Sequence, residues 1–124
     1  MSTKVSSKLA ALLGLSAILT FGATQAMAHA KLVTAVPAVK SSGAAPAAIV
    51  LHFDDDLEMK FSSFKVTDID GKVVAIKASP APDSKSLAAT PVAPLAPGLY
   101  TVSWTAASTE DGHKMTGKYS FTVK

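Results

Sequence analysis

The chain has 124 residues, with twelve Lys, nine acidic residues, no Arg and no Cys. This length allows one domain, and the missing thiols exclude disulfides, cysteine nucleophiles and thiolate metal ligands. Any metal site must use His, Asp, Glu, Met or backbone groups.

The first 28 residues predict a helical signal peptide that is removed on export. Lys4 and Lys8 give a positive start, residues 9–22 form an apolar run, and Ala26-Met27-Ala28 has the A-x-A shape of a signal-peptidase site. The run of 14 residues is shorter than the roughly 20 that a membrane span needs. We therefore expect a leader at 1–28 and one mature, exported domain at 29–124, without membrane insertion after cleavage.

The mature part is nearly neutral. Two lysines belong to the leader, so ten remain against nine acidic residues, for a net charge of +1. With no Arg and no basic stripe, this composition predicts no nucleic-acid partner.

The first strands are predicted from alternation. Ile49, Leu51 and Phe53 alternate with Val50 and His52, as in a strand buried on one face. A strand at 64–66 leads to a turn at 68–71, and the run at 73–76 completes a hairpin, since Asp-Gly is a strong turn dipeptide.

The second half continues this pattern. Breaks at 80–83 and 93–98 enclose a weak strand at 87–92, and the clearest strands follow at 99–105 and 119–123. Trp104 is in phase with the inward face, which favours a core role over ligand stacking. About seven strands and no convincing helical period predict an all-β, antiparallel β-sandwich.

Three histidines are candidate metal ligands. His52 falls on the outer strand face, which favours an ordinary surface residue. His113 stands in the loop sequence TEDGHKMTG, two residues after Asp111. Gly112 can adopt a positive φ, and on an extended stretch residues i and i+2 point the same way. Asp111 and His113 can then reach one ion, although most such triplets are solvated turns.

His29 strengthens this hypothesis. Cleavage after Ala28 makes His29 the first residue, with a free α-amine and a ring nitrogen that together chelate one metal ion. Those two nitrogens, the His113 imidazole and the Asp111 carboxylate form a three-nitrogen, one-oxygen set that suits Cu(II). Zn(II) accepts similar ligands in a tetrahedral arrangement.

The mature sequence also resembles the CopC family of periplasmic copper-binding proteins. The resemblance covers residues 29–124 and is carried by the stretches HAKLVTAVPA, IVLHFDDDLEMKFSSFKVTDIDGK, PLAPGLYTVSW and DGHKMTGKYSFTV. It implies a seven-stranded, immunoglobulin-like sandwich or Greek-key barrel. It also implies one Cu(II), with ligands carried over by position to His29, Asp111 and His113.

The resemblance implies further features around that site. Asp55 matches an acidic position near the copper and is expected as a weak ligand or a residue supporting the ligands. Glu110 is a substitute carboxylate, because the spacing from Trp104 to Asp111 is one residue longer than is usual. The mature chain has only Met59 and Met115, which predicts the Cu(II) site without a Met-rich Cu(I) site.

These observations favour a periplasmic, non-enzymatic copper-binding protein for sequestration, resistance or delivery. The resemblance implies a CopD-like inner-membrane copper permease as the partner, and we expect a monomer. Two alternatives stay open: a copper oxygenase with a histidine brace, and a metal-free interaction module.

Overall fold

Two β-sheets pack against each other in the computed structural model, which describes residues 30–124. One sheet has the strand order β1-β3-β7-β6, and the other has the order β2-β9-β8-β4-β5. The strands are β1 (Leu32–Val36), β2 (Ser42–Gly43), β3 (Ile49–Phe53), β4 (Ser63–Thr67), β5 (Val73–Val74), β6 (Ile76–Ala78), β7 (Ser86–Pro91), β8 (Gly98–Ala107) and β9 (Lys114–Val123). A 3₁₀ turn, Met59–Phe61, precedes β4. The predicted leader and His29 lie outside the described residues.

Seven of these strands have the immunoglobulin arrangement. Strands β1, β3, β7 and β6 correspond to A, B, E and D, and strands β4, β8 and β9 to C, F and G. The predicted sandwich is confirmed, with two-residue strands β2 and β5 added to the larger sheet. Strand β2 pairs with β9 in parallel, which departs from a purely antiparallel prediction. This pairing is possible because most of the chain, rather than a hairpin, separates the two strands.

The structure corrects two details of the strand prediction. Strands β1 and β2 precede Ile49, where the sequence pattern identified its first strand. The predicted run at 73–76 is two strands, because Val74 pairs with Val66 in the larger sheet and Ile76 pairs with Pro91 in the smaller. Ala75 lies at this crossing, and its carbonyl accepts the Val92 amide at 3.0 Å. The hairpin turn itself is confirmed, with Gly71 at φ +82°.

The core lies between the two sheets and contains the inward side of each alternation. Strand β3 alternates strictly between buried and half-buried residues. Fully burying such an apolar side chain contributes roughly 1.5–3 kcal/mol. The largest apolar side chains with almost no exposure are Ile49, Leu51, Phe53, Val66, Val102 and Phe121. Within residues 30–124 no helix has the length and apolar character needed to cross a membrane.

Aromatic contacts join the sheets where a disulfide would otherwise be expected. Phe53 on β3 meets Trp104 on β8 edge to face, with ring centroids 5.1 Å apart. Antibody domains join the corresponding strands B and F by a disulfide, and this chain has no Cys. The Tyr100 hydroxyl donates to the Ala96 carbonyl at 2.7 Å, which reproduces the tyrosine corner of immunoglobulin-like domains. The core role predicted for Trp104 is confirmed.

A glycine allows Trp104 to lie flat across the neighbouring strand. Gly117 is the direct cross-strand partner of Trp104, and a Cβ at Gly117 would overlap the indole ring. We expect Gly117→Ala to lower the free energy of unfolding by about 1–3 kcal/mol, the usual range for overpacking. Gly43→Ala is the matched control, because its Cβ would meet no atom within 4 Å. Chemical denaturation of both variants measures the difference, and equal stabilities would contradict this packing.

Candidate metal-binding site

The β8–β9 loop, residues 108–113, is a turn whose two ends are hydrogen-bonded to each other. The Ser108 amide donates to the His113 carbonyl at 3.1 Å, and the Gly112 amide donates to the Ser108 carbonyl at 3.0 Å. Gly112 has φ +68°, a conformation that residues with a Cβ rarely adopt. The long β8–β9 hairpin ends at the pair Ala107 and Lys114, so the loop stands at one end of the sandwich.

Asp111 and His113 lie together in this loop, but not in the way the spacing predicted. The segment is a turn rather than an extended stretch, because Asp111 Oδ1 accepts the His113 amide at 3.0 Å. The second oxygen, Oδ2, lies 3.6 Å from His113 Nδ1. One divalent ion about 2.0–2.2 Å from each of two atoms spans such a separation. Both side chains are exposed, with 43% and 58% of their surface accessible.

Asp55 is connected to the same loop through Ser108. The Ser108 hydroxyl donates to Asp55 Oδ2 at 2.9 Å and accepts the Glu110 amide at 3.2 Å. Asp55 Oδ1 accepts the Asp56 amide at 2.8 Å, so both carboxylate oxygens are held. The Glu110 side chain is exposed on the loop. From the sequence, Asp55 is a candidate near the metal but Ser108 is not. An isolated serine after a strand is not part of a recognisable motif.

The beginning of the described chain is bonded to the acidic segment at residues 54–56. The Lys31 amide donates to Asp54 Oδ1 at 2.8 Å, and the Asp54 amide donates to the Lys31 carbonyl at 3.0 Å. Ala30 is fully buried. The residue that follows His29 in the sequence therefore sits next to the segment that contacts the β8–β9 loop.

The acidic residues of the chain are concentrated at this end. Of its nine Asp and Glu residues, only Asp68 and Asp70 lie elsewhere, in the β4–β5 turn. The other seven lie in three segments that hydrogen bonds connect to one another. They are Asp54, Asp55, Asp56, Glu58, Asp83, Glu110 and Asp111. These seven outnumber the lysines beside them, Lys31, Lys60, Lys85 and Lys114. The resulting excess of negative charge attracts cations to this end.

The described residues supply only part of a metal site. Within residues 30–124, no three His, Asp or Glu side chains lie close enough together to hold an ion. Asp111 and His113 are two of the predicted ligands, and the third, His29, is outside the described residues. The donor set present, one imidazole and one carboxylate, fits a borderline divalent metal that still needs further ligands.

His52 belongs to a separate cluster on the outer face of the smaller sheet. Its Nδ1 lies 3.0 Å from the Ser86 hydroxyl, which donates to Asp83 Oδ1 at 2.8 Å. Because the hydroxyl proton is directed to Asp83, His52 Nδ1 must be the donor to Ser86. A catalytic triad needs the opposite order, with His between Ser and Asp. This arrangement therefore holds the turn before β7 and does not activate Ser86.

The Ser86 hydrogen bond should control the acidity of Asp83. Donation from Ser86, followed by that from the Lys85 amide, lowers the pKa of Asp83 below its ordinary value of 3.8. We expect Ser86→Ala to raise this pKa toward 3.8, as measured by NMR titration of the carboxyl carbon. Ser84→Ala is the control, because Ser84 donates to Asp56 instead.

The sign of the effect on stability follows from the lowered pKa. Stability from the ionised Asp83 is present above pH 3.8 and is lost as the pH falls through the folded-state pKa. The stability difference between the wild type and Ser86→Ala should therefore shrink in acid. An unchanged Asp83 pKa in the variant would refute this assignment.

The fold and the loop together define a class: an immunoglobulin-like sandwich with an Asp-Gly-His turn at its acidic end. The CopC domain model matches residues 32–124. The chain belongs to the CopC family.

Relatives and solved structures agree with this assignment. Copper resistance protein C of Escherichia coli is 43% identical over 121 residues, covering 87% of this chain and 95% of the relative. Copper resistance protein C of Pseudomonas syringae pv. tomato is 42% identical, covering 80% and 83%. The crystal structure of PcoC, a methionine-rich copper resistance protein from Escherichia coli, superposes with a TM-score of 0.71 at 42% identity, covering 78% of this chain and all of PcoC. CopC from Methylosinus trichosporium OB3b gives 0.69 at 36% identity, covering 77% and 94%.

Proposed function

We propose that this chain is an exported protein that binds one Cu(II) ion as cargo. In this proposal the mature N-terminus supplies the α-amine and the ring of His29, and the β8–β9 loop supplies the His113 imidazole and the Asp111 carboxylate. One observation carries the proposal. The segment at Asp54 and Asp55 contacts both Lys31, two residues after His29, and Ser108, at the base of the loop.

The donor chemistry supports copper over other metals. Cu(II) stands at the top of the Irving–Williams order and prefers tetragonal nitrogen and oxygen ligands. An amine and an imidazole from one residue form a chelate that suits this geometry, and the chain has no thiolate to compete. In this proposal Asp55, beside the loop, and Glu110, within it, support the ligands rather than replace them.

The biological role is proposed from the family. Relatives named for copper resistance support a role in sequestering copper or passing it to a membrane transporter of the CopD kind. The predicted signal peptide supports a periplasmic location, where the cleaved chain would act as a soluble monomer. A carboxylate ligand occupies a position that an O₂-activating copper should leave open, which supports binding rather than oxygenase chemistry.

Blocking the N-terminal amine tests the His29 ligand. We expect one extra glycine before His29 to weaken Cu(II) binding by more than about 100-fold, because the α-amine, a direct ligand, becomes an amide. Loss of a residue that only orients a ligand typically weakens binding by about 10–100-fold. Competition with a chelator measures the affinity, and mass spectrometry confirms each N-terminus. A glycine added after Lys124 is the control. Equal affinity of the two N-terminal forms would refute the terminal chelate.

Replacing each of the two described histidines tests the loop. We expect His113→Ala to lower Cu(II) affinity by more than about 100-fold and to remove one nitrogen from the EPR spectrum. His52→Ala is the matched control, since His52 lies on the outer face of the other sheet and bonds Ser86. If His52→Ala weakened binding as much as His113→Ala, the proposed site would be wrong.

A further inference from the structure

Ser108 is a buried polar residue that links several segments at the acidic end of the sandwich. It is fully buried, directly after the last residue of β8. Its hydroxyl donates to Asp55 Oδ2 and accepts the Glu110 amide, while its own amide donates to the His113 carbonyl. Its carbonyl accepts the Gly112 amide. Ser108 therefore takes part in four hydrogen bonds, three of which are to residues of the loop.

These bonds connect two parts of the chain that are far apart in sequence. Ser108 and Asp55 are separated by 53 positions, and an isolated bridge between Leu57 and Ser108 joins the same two segments. The Thr109 amide also donates to the Asp56 carbonyl at 3.1 Å. These contacts position the β8–β9 loop against the acidic segment, and the Ser108 hydroxyl contributes a side-chain hydrogen bond to them.

The two candidate ligands of the loop have no comparable burial of their own. The side chains of Asp111 and His113 are both exposed, in a turn of six residues. Exposed side chains lose conformational freedom when they bind a metal, so a loop that is already ordered binds more tightly. The hydrogen bonds of Ser108 order the base of this loop, and the bond from the His113 amide to Asp111 Oδ1 orders its tip.

We propose that Ser108 is a positioning residue for the copper site. Through Asp55 and the loop backbone, it holds Asp111 and His113 in the geometry that receives the ion. Ser108 does not contact the metal in this proposal. The inference rests on the proposed function and adds a residue to it that the sequence did not single out.

The test compares Ser108→Ala with Ser86→Ala. Both serines are almost completely buried and both donate to an aspartate, at 2.9 Å for Ser108 and 2.8 Å for Ser86. Only Ser108 is bonded to the β8–β9 loop. We expect Ser108→Ala to weaken Cu(II) binding by 10–100-fold, the typical effect of removing a partner that orients ligands. We expect Ser86→Ala to bind as tightly as the wild type.

A spectroscopic readout separates positioning from general destabilisation. The Cu(II) EPR parameters of Ser108→Ala should differ from those of the wild type, while those of Ser86→Ala should not. Ser108→Thr keeps the hydroxyl and should restore the wild-type spectrum, at some cost in stability because its methyl group enters a fully buried position. Wild-type affinity and an unchanged spectrum in Ser108→Ala would overturn the proposal, as would equal losses in both serine variants.

Hydrogen exchange of the metal-free protein distinguishes this proposal from the copper assignment. The Glu110 amide loses its acceptor in Ser108→Ala, so its exchange and that of Gly112 should accelerate, with no such change in Ser86→Ala. Unchanged exchange would show that Ser108 does not order the loop. If exchange accelerated as expected but the correctly processed wild type took up no Cu(II), the proposed function would be refuted and the positioning role with it.

Discussion

The pairing of β8 with β9 is the constraint on which the rest of the molecule depends. The two strands run antiparallel over ten residue pairs, from Gly98 opposite Val123 to Ala107 opposite Lys114. This ladder contributes Tyr100, Val102 and Phe121 to one core and determines where the connecting loop emerges. Strands β4 and β2 then pair on either side of it. A displacement of the ladder by one residue would exchange its buried and exposed faces, so core packing and loop position are determined together.

The two ends of the sandwich differ because of this arrangement. One end carries the Asp-Gly-His turn, the acidic segment and the first described residues, which are joined by hydrogen bonds. The other carries the β4–β5 turn. The edge-to-face contact of Phe53 with Trp104 joins the two sheets, and the Tyr100 hydrogen bond stabilises the start of β8. A rigid β-framework that presents polar groups on a loop is a common way to build a binding site.

Residues at the acidic end have distinct physical roles. Asp111 and His113 offer exposed donor atoms, whereas Asp55 uses its oxygens to hold the chain. Acidic side chains in the same small region thus differ in what they can do for a cation. This difference depends on burial and partners, and residue type alone does not reveal it. The His52 cluster shows the same point, since three residue types associated with hydrolytic enzymes form a purely structural hydrogen-bond chain.

The amino-acid sequence by itself determined the faces of the main strands, the Asp-Gly turn after β4 and the association of Asp111 with His113. Each of these follows from the alternation of side chains or from a few neighbouring residues, so local physics is sufficient. Only the tertiary structure decided that residues 73–76 divide between two sheets, that Ser108 reaches Asp55, and that Lys31 bonds Asp54. Apart from the short β4–β5 pairing, these contacts join segments that are distant in sequence, and they exist only after two sheets have closed on one core. A pattern with a period of two specifies which face of a strand is buried, but not which distant strand end will lie beside it.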